Sequence, residues 1–521
     1  MNDEAKKRRD KIRNISILLS IFLLGAALLV KFKIESKNNQ LAFKEAEIKK
    51  QEEVLKHLVT QEQLVLAVKG KYLSSGEKTH FVPPNQEKRL GNEHFNKQEY
   101  KKAQSLFINL RERPIEDPEA LIYSNNAEAF SKNNYLTIVA SVPIKYSNDI
   151  AKEMLRGIAQ AQDEINRNGG IKGKLLHIVI ADDNNDPADV KVIANYLVND
   201  NNDKEVLAVI GSNVSEATKQ AAEIYQGKMI MISPTSFAVD FKKIKESENG
   251  KNYIFSVVGN FEAVMPELVS HIKETITHPK LLVCDDSQAY DQKVFRCIFE
   301  KKGFSRVVKK GLCEPDSINE DEDTDKNGFC DLNSIKADYE KIVDEAVKSE
   351  INSVFIAPHV SRINEGINLT KHIRTNYPGL KLFGSPTLYN ATTIKNGEDT
   401  TGLVVPAQWF PDVHPHPFYT EAKKLWGEQN ITGITWRTAT SYDAVYVIAT
   451  ALGKIGINDE LNRENLQRQL TNKNFEYKGA SGEIRFEKNG ARKKSDSYLI
   501  EVRPCDKDCS YGYEHGFYRV N

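Results

Sequence analysis

From Tyr135 onward, apolar runs alternate with amphipathic stretches. Apolar runs fall at Leu136 to Val142, Leu175 to Ala181, Val206 to Ile210 and Met229 to Ile232, with helical stretches such as Asp149 to Asn168 and Ser215 to Gln226 between them. A second series follows at Leu281 to Cys284, Val354 to Ala357, Lys381 to Phe383 and Leu403 to Val405. Continuous apolar runs mark strands buried on both faces, and their alternation with helices predicts parallel sheets covered by helices. About 385 residues exceed one doubly wound sheet, so the pattern predicts two lobes with a cleft between them.

The upstream third is patterned differently. The stretch Ile15 to Val30 is apolar, preceded by Lys6, Lys7, Arg8, Arg9, Lys11 and Arg13 and followed by Lys31 and Lys33. A basic cluster before a short apolar helix predicts a membrane anchor with its N-terminus in the cytoplasm; a cleaved signal peptide, with Gly25, Ala26 and Ala27 near the cut, is the competing reading. Leu41, Ile48 and Leu55, seven apart, fit a coiled coil or a solvated helical stalk. Gly76, Pro83 and Pro84 then mark a linker. In LGNEHFNKQEYKKAQSLF, Leu90, Gly91, His94, Ala103 and Phe107 stand at the offsets of a tetratricopeptide repeat, and PEALIYSNNAEAF resembles the first helix of a second one. Such a repeat needs a neighbour to cover its apolar face.

Charge adds little: 72 basic and 72 acidic residues leave no footprint of nucleic-acid binding. The six cysteines, Cys284, Cys297, Cys313, Cys330, Cys505 and Cys509, lie in the part expected outside the membrane, where structural disulfides are the default. Six cysteines permit fifteen pairings; short separations favour neighbours, 284 with 297, 313 with 330 and 505 with 509.

Four ordered segments carry a resemblance: INRNGGIKGKLLHIVIADDNNDP (Ile165 to Pro187), VIGSNVSEATKQAAEIYQGKMIMISPTS (Val209 to Ser236), WRTATSYDAVYVIATAL (Trp436 to Leu452) and GASGEIRFEKNG (Gly479 to Gly490). Together they resemble the type I periplasmic binding proteins of the leucine/isoleucine/valine-binding family, over roughly residues 134 to 502. The resemblance implies an α/β protein of two Rossmann-like lobes, with hinge and ligand cleft, after an α-helical N-terminal region. It places lobe one at about 134–257 and 388–470, lobe two at about 258–387 and 471–503, and a tail at 504–521; upstream come a basic tail (1–14), the anchor (15–33), stalk and linker (34–85) and the repeat-like segment (86–133).

Site residues follow from both lines. Ser215, where a strand runs into a helix, sits at a positive helix N-terminus suited to a carboxylate, although most such serines are plain caps. Ser233, Thr235 and Ser236 end the next strand at the same rim. The resemblance implies a backbone contact from Thr235, a closing role for Tyr290 and a cleft position for His359. Two departures stand out: Phe237 replaces a ligand-contacting threonine, and Pro386 stands where a glutamate would pair with a ligand ammonium. Asp285 and Asp286 are the substitute anions to consider. DTDKNGFCDLNS places Asp323, Asp325, Asn327 and Asp331 at calcium-loop positions, with Ser334 in place of the final glutamate, a weak calcium site or a solvated acidic loop. No other cofactor is implied.

No G-x-S-x-G, P-loop, H-E-x-x-H or G-x-G-x-x-G motif occurs, so the chain reads as a binder rather than an enzyme; His414 and His416 sit among prolines in what reads as a surface loop. The expectation is a single-pass, extracytoplasmic receptor for an amino acid or related small polar solute, acting with an ABC-type permease. The alternative is an anchored sensor that holds a partner protein through the helical repeat.

Overall fold

The computed structural model describes residues 68–520 apart from 82–83, 110–116, 200–205, 238–249, 288–291, 305–329, 412, 415, 428–432 and 506–512. The anchor and stalk stretches, Tyr290, Asp323, Asp325, Asn327, Cys313 and Cys509 lie outside the described residues. Among the described residues no helix is long and apolar enough to cross a membrane.

Two sheets organise the chain. The first contains β1 (Leu73–Ser74), β2 (Tyr135–Val142), β3 (Leu175–Asp182), β4 (Val206–Ile210), β5 (Ile230–Ser233) and β6 (Ile254–Ser256) in the order β1-β3-β2-β4-β5-β6. All pairs are parallel except β1 on β3. The second contains β7 (Leu281–Asp285), β8 (Cys330–Asp331), β9 (Ser353–Ala357), β10 (Lys381–Gly384), β11 (Leu403–Ala407), β14 (Tyr498–Pro504) and β15 (His515–Arg519). Its β7 to β11 run parallel in the order β8-β7-β9-β10-β11, and β14 and β15 are antiparallel additions. Each parallel core thus starts in the middle and reverses direction once, which opens a crevice at the carboxyl ends of its strands.

The boundary between lobes differs from expectation. β11 lies in the second sheet, inside a segment expected in the first lobe, because it adds to β10 and pairs with β14. Conversely β12 (Tyr477–Gly479) and β13 (Gly482–Ile484) form a hairpin held to the first lobe, where Asp443 Oδ1 accepts from the Ala480 N–H and Oδ2 from the Ser481 N–H. His515–Arg519 is a strand of the second sheet rather than a tail.

Helix Trp436–Gly453 packs along helix Asn148–Arg167 in the first lobe. The approach is close enough that a Cβ on Gly157 would meet the Thr438 carbonyl oxygen at 2.0 Å. Thr435 starts the later helix with a capping box: its Oγ1 accepts from Arg437 N–H, and its own N–H donates to Thr438 Oγ1.

The N-terminal segment docks on the first lobe. Helices Gln86–Asn96 and Tyr100–Asn109 form a hairpin, and Pro118–Lys132 packs on the second of them and on β3. Asn126 completes the edge of β3: its Nδ2 donates to the Ile178 carbonyl at 2.7 Å and its Oδ1 accepts the Ile178 N–H at 3.0 Å. Asn166 does the same for Leu176. Amide side chains and the short β1 thereby cover an edge that would otherwise offer free backbone groups. Beneath them Lys88 is paired with both Asp117 and Glu119, a buried cluster closed by Tyr123.

Candidate ligand cleft

The chain crosses between sheets after β6, after β11 and before β14, and these crossings form a hinge. Arg492 binds it together: Nη1 donates to the Val257 carbonyl at 2.7 Å and Nη2 to the Ser481 carbonyl at 2.7 Å. Burial pushes this guanidinium down, and Asp443 opposes the shift.

The cleft opens between the carboxyl ends of the two sheets. At the first sheet, β4 ends in Gly211, whose φ of +138° and whose Cβ position 2.3 Å from the Ser141 carbonyl leave room for glycine alone. The chain then turns through Asn213 and Val214 into helix Ser215–Tyr225, which has no side-chain cap at Val214. Its first N–H groups face the cleft end of the sheet. Asn213, Val214, Ser215, Glu216, Thr235, Phe237, Trp436 and Arg437 line the cleft from the first lobe; Phe261, Phe295, Ala357, Pro358, His359, Val360, Pro386 and Thr387 line it from the second. The free space is about 50 Å³, room for a few waters rather than an amino acid.

Of the residues singled out by sequence, Ser215, Thr235, Phe237 and His359 are brought together here. Thr235 Oγ1 donates to the Asn213 carbonyl at 3.0 Å, so its hydroxyl braces the preceding turn. His359 Nδ1 lies 2.8 Å from Ser361 Oγ and caps a short turn of 3₁₀ helix. Ser233 and Ser236 stand outside the lining: Ser233 Oγ accepts the Ser236 N–H, and Ser236 Oγ bonds Thr218 Oγ1. Asp285 is not a free anion for a ligand, because it holds Arg296 in a buried bidentate pair, with Nε–Oδ2 at 2.7 Å.

Trp436 and Arg437 were legible only as part of a matched helix. Their approach to the cleft depends on where helix Trp436–Gly453 lands, more than 200 residues after Ser215. Arg437 stacks on the Trp436 ring at 4.6 Å and donates to Glu153 Oε2 at 3.3 Å and to the Tyr389 carbonyl at 3.2 Å. Glu153 is pushed up to about 7 by burial, which Arg437 and the Thr435 hydroxyl only partly offset.

All three expected disulfide pairings are overturned. Cys284 and Cys330 are bonded to each other across adjacent strands β7 and β8, where they are register partners 46 residues apart. Neither therefore pairs with its sequence neighbour; Cys297 is disulfide-bonded as well. Cys505 is a free thiol that donates to the Tyr513 carbonyl rather than bonding Cys509. Sequence proximity misled because strand pairing, not chain separation, sets Cβ approach. Asp331 Oδ1 accepts the N–H groups of Ser287 and Asn333, and among the described residues no cluster of three or more His, Cys, Asp or Glu side chains is placed to hold a metal.

Comparison with known proteins follows the same outline. The model of the family described as "Periplasmic binding protein" matches residues 145–311, and that described as "Receptor family ligand binding region" matches residues 364–504. The Leu/Ile/Val-binding protein of Escherichia coli is 30% identical over 192 residues, covering 36% of this chain and 49% of that protein. The chain thus spans about half the length of that relative. The leucine-, isoleucine-, valine-, threonine- and alanine-binding protein of Pseudomonas aeruginosa is 24% identical over 66% of this chain and 83% of its own length. These relatives are solute-binding proteins, not enzymes. A leucine-binding protein from Thermotoga maritima has a TM-score of 0.57 at 17% identity, covering 74% of this chain and 99% of that one. Matches across both lobes support kinship with the Leu/Ile/Val-binding family of periplasmic binding proteins, whose type I fold this chain has.

Proposed function

We propose that the chain is a membrane-anchored, extracytoplasmic receptor that closes its two lobes on a small carboxylate-bearing solute, and hands that solute to an ABC-type importer. The observation that carries this reading is the convergence of both lobes on one cleft, with helix Ser215–Tyr225 presenting its N-terminus there. The basic cluster before Ile15 to Val30 supports the anchor, and the kinship supports the location and the importer. The cleft boundaries proposed for lobe one are residues 134–257 and 408–494; lobe two takes 258–407 and 495–520.

A second reading, an anchored sensor, draws on the docked N-terminal segment. An N-terminal segment tied to the first lobe through Asn126 and β1 leaves the second lobe as the moving part. The repeat-like helices then offer a surface for a partner protein.

The test is a thermal-shift screen of the purified full chain against amino acids, small peptides, aliphatic and aromatic carboxylates, urea and polyamines, with and without calcium. A solute at about a hundred times its Kd adds about 2.7 kcal/mol of stability. Silence across the whole panel sinks the receptor reading and leaves the sensor.

A further inference from the structure

The two lobes grip each other through the chain's own side chains. Phe237, in the first lobe, stacks on Phe261, which opens helix Phe261–Thr275 in the second, with ring centroids 5.1 Å apart and planes 23° apart. That helix packs on β11 and β14, so it moves with the second sheet. Behind each ring stands another: Trp436 meets Phe237 at 4.9 Å, and Phe295 meets Phe261 at 4.4 Å and Phe355 of β9 at 5.2 Å. One line of rings therefore runs from the end of a first-lobe helix into the core of the second lobe. Both members of the central pair are buried, Phe237 at 7% and Phe261 at 2% exposed.

The pair lies at the floor of the cleft. Phe237 and Phe261 line the cleft on one side and, on the other, a groove of about 450 Å³ at the hinge. Residues that border both spaces form the wall between them, so swinging the lobes apart exposes the stacked faces to water. A second grip starts one residue from Trp436. Arg437 Nη1 donates to the Tyr389 carbonyl at 3.2 Å, and the Tyr389 ring is set against Phe517 of β15 at 4.8 Å, on the second lobe. The ion pair with Glu153 and the capping box at Thr435 hold Arg437 on its own side. One opening motion breaks this hydrogen bond and parts the rings together.

Where facing lobes are polar and small-chained, a solute supplies most of the contacts of the closed form, and closure waits for it. Here apolar burial and ring stacking are supplied by the protein. Phe237 decides the balance, because a threonine at that position would bring no ring to Phe261.

We propose that Phe237 on Phe261, with Arg437 on the Tyr389 carbonyl, forms a built-in clasp that makes the closed arrangement of the lobes the majority form of this chain. A solute then enters through a minority open form, and its apparent affinity is reduced by the fraction of chains that are open. The clasp concerns the lobes and not the identity of a solute, so it goes beyond the receptor reading and fails or stands separately from it.

The experiment is single-molecule energy transfer on the purified full chain, with dyes on ketone-bearing residues introduced at the exposed positions Glu223 in the first lobe and Asp338 in the second. It is run in buffer with no added solute, on a preparation whose native mass is that of the chain alone. The expected result is a dominant short-distance population in the parent. Phe237→Thr removes one ring of the pair and Phe261→Leu the other while keeping an apolar side chain in the helix. Each is expected to bring up a longer-distance population and to lower the closed-to-open ratio about tenfold or more, as the loss of a buried stacked ring does. Two variants guard against one that fails to fold, which circular dichroism reports. A parent that is mainly open under these conditions overturns the proposal. So do folded variants whose distance distributions match that of the parent.

Discussion

Gln408 and Gly259 exchange two hydrogen bonds across the hinge: the Gln408 Nε2 donates to the Gly259 carbonyl and the Gly259 N–H donates to Gln408 Oε1, both at 3.1 Å. Gln408 follows β11 and Gly259 follows β6, so a side-chain amide splices two of the crossing segments as a strand would. The splice leaves no room for a side chain at position 259, where a Cβ would meet Ser495 Oγ at 2.3 Å. Gln408→Leu keeps the volume and leaves both backbone groups of Gly259 unpaired. The expected cost is about 2–3 kcal/mol in urea unfolding, with the lobes less firmly set. A variant as stable as the parent would mean that the two crossings hold their geometry without this amide.

Asn126 makes the analogous bond at the other end of the first lobe. Asn126→Ala strips the partner from the Ile178 N–H and carbonyl and from the Ser75 carbonyl at 2.8 Å. About 2–3 kcal/mol is expected to be lost. The loss is localised: hydrogen exchange should quicken in β1, β3 and helix Pro118–Lys132 while the second sheet keeps its protection. Uniform loosening of both lobes would instead show that the N-terminal segment is an unspecific support.

The alternating pattern of the chain carried most of this architecture. Val206–Ile210 and Ser353–Ala357 are buried along their whole length, so they stand out as continuous apolar runs. Ser215 and Thr235 were found because they follow strands at the rim where open sheets bind ligands, whereas Phe237 stood out only through the family resemblance, as the replacement of a threonine. What was not legible depends on tertiary registry. β15 reads HGFYR, a mixed run with no turn signal to mark it as part of a sheet. Trp436 and Arg437 open a helix whose relation to Ser215 is set by the close contact at Gly157. The partner of Cys284 is fixed by β7 and β8 lying side by side, which short chain separations cannot report.

The same pair yields a prediction. The Cys284–Cys330 bond closes a loop of 46 residues that includes helix Gln292–Lys301. Constraining the unfolded chain over that length is worth about 4 kcal/mol in the chain-entropy account, fewer where the reduced chain keeps structure. Cys330→Ser should lower stability by that order in non-reducing denaturant titrations, and added reductant should abolish the difference between parent and variant. A parent chain insensitive to reductant would place the stability of β8 elsewhere.

His177 and His80 set a pH dependence where the N-terminal segment meets the first lobe. His177 stands on β3 with its Nδ1 3.1 Å from Thr137 Oγ1 and its Nε2 3.1 Å from Ser75 Oγ, walled by Phe130 and Tyr135. Burial pushes its imidazole down to about 3. His80 is pushed down to about 3 by burial and by Lys78 and Lys145, and its N–H bonds Glu119. The unfolded chain takes up these protons near the ordinary histidine pKa of about 6.5, and the folded chain refuses them until near 3. Each histidine therefore contributes stability that is whole above about pH 6.5 and is lost as pH falls toward 3, at about 1.4 kcal/mol per unit. Glu153, pushed up to about 7, acts in the opposite sense between about 4.5 and 7, which makes the total slope a poor test. The clean comparison is the parent against His177→Gln, whose side chain has no such titration. Urea unfolding at pH 7.5, 6, 5 and 4 should show the parent losing its advantage steadily over the variant as pH falls. Parallel curves would mean that His177 is protonated in the folded protein, and that the pocket formed by Phe130, Tyr135 and Ser75 opens to water at acid pH.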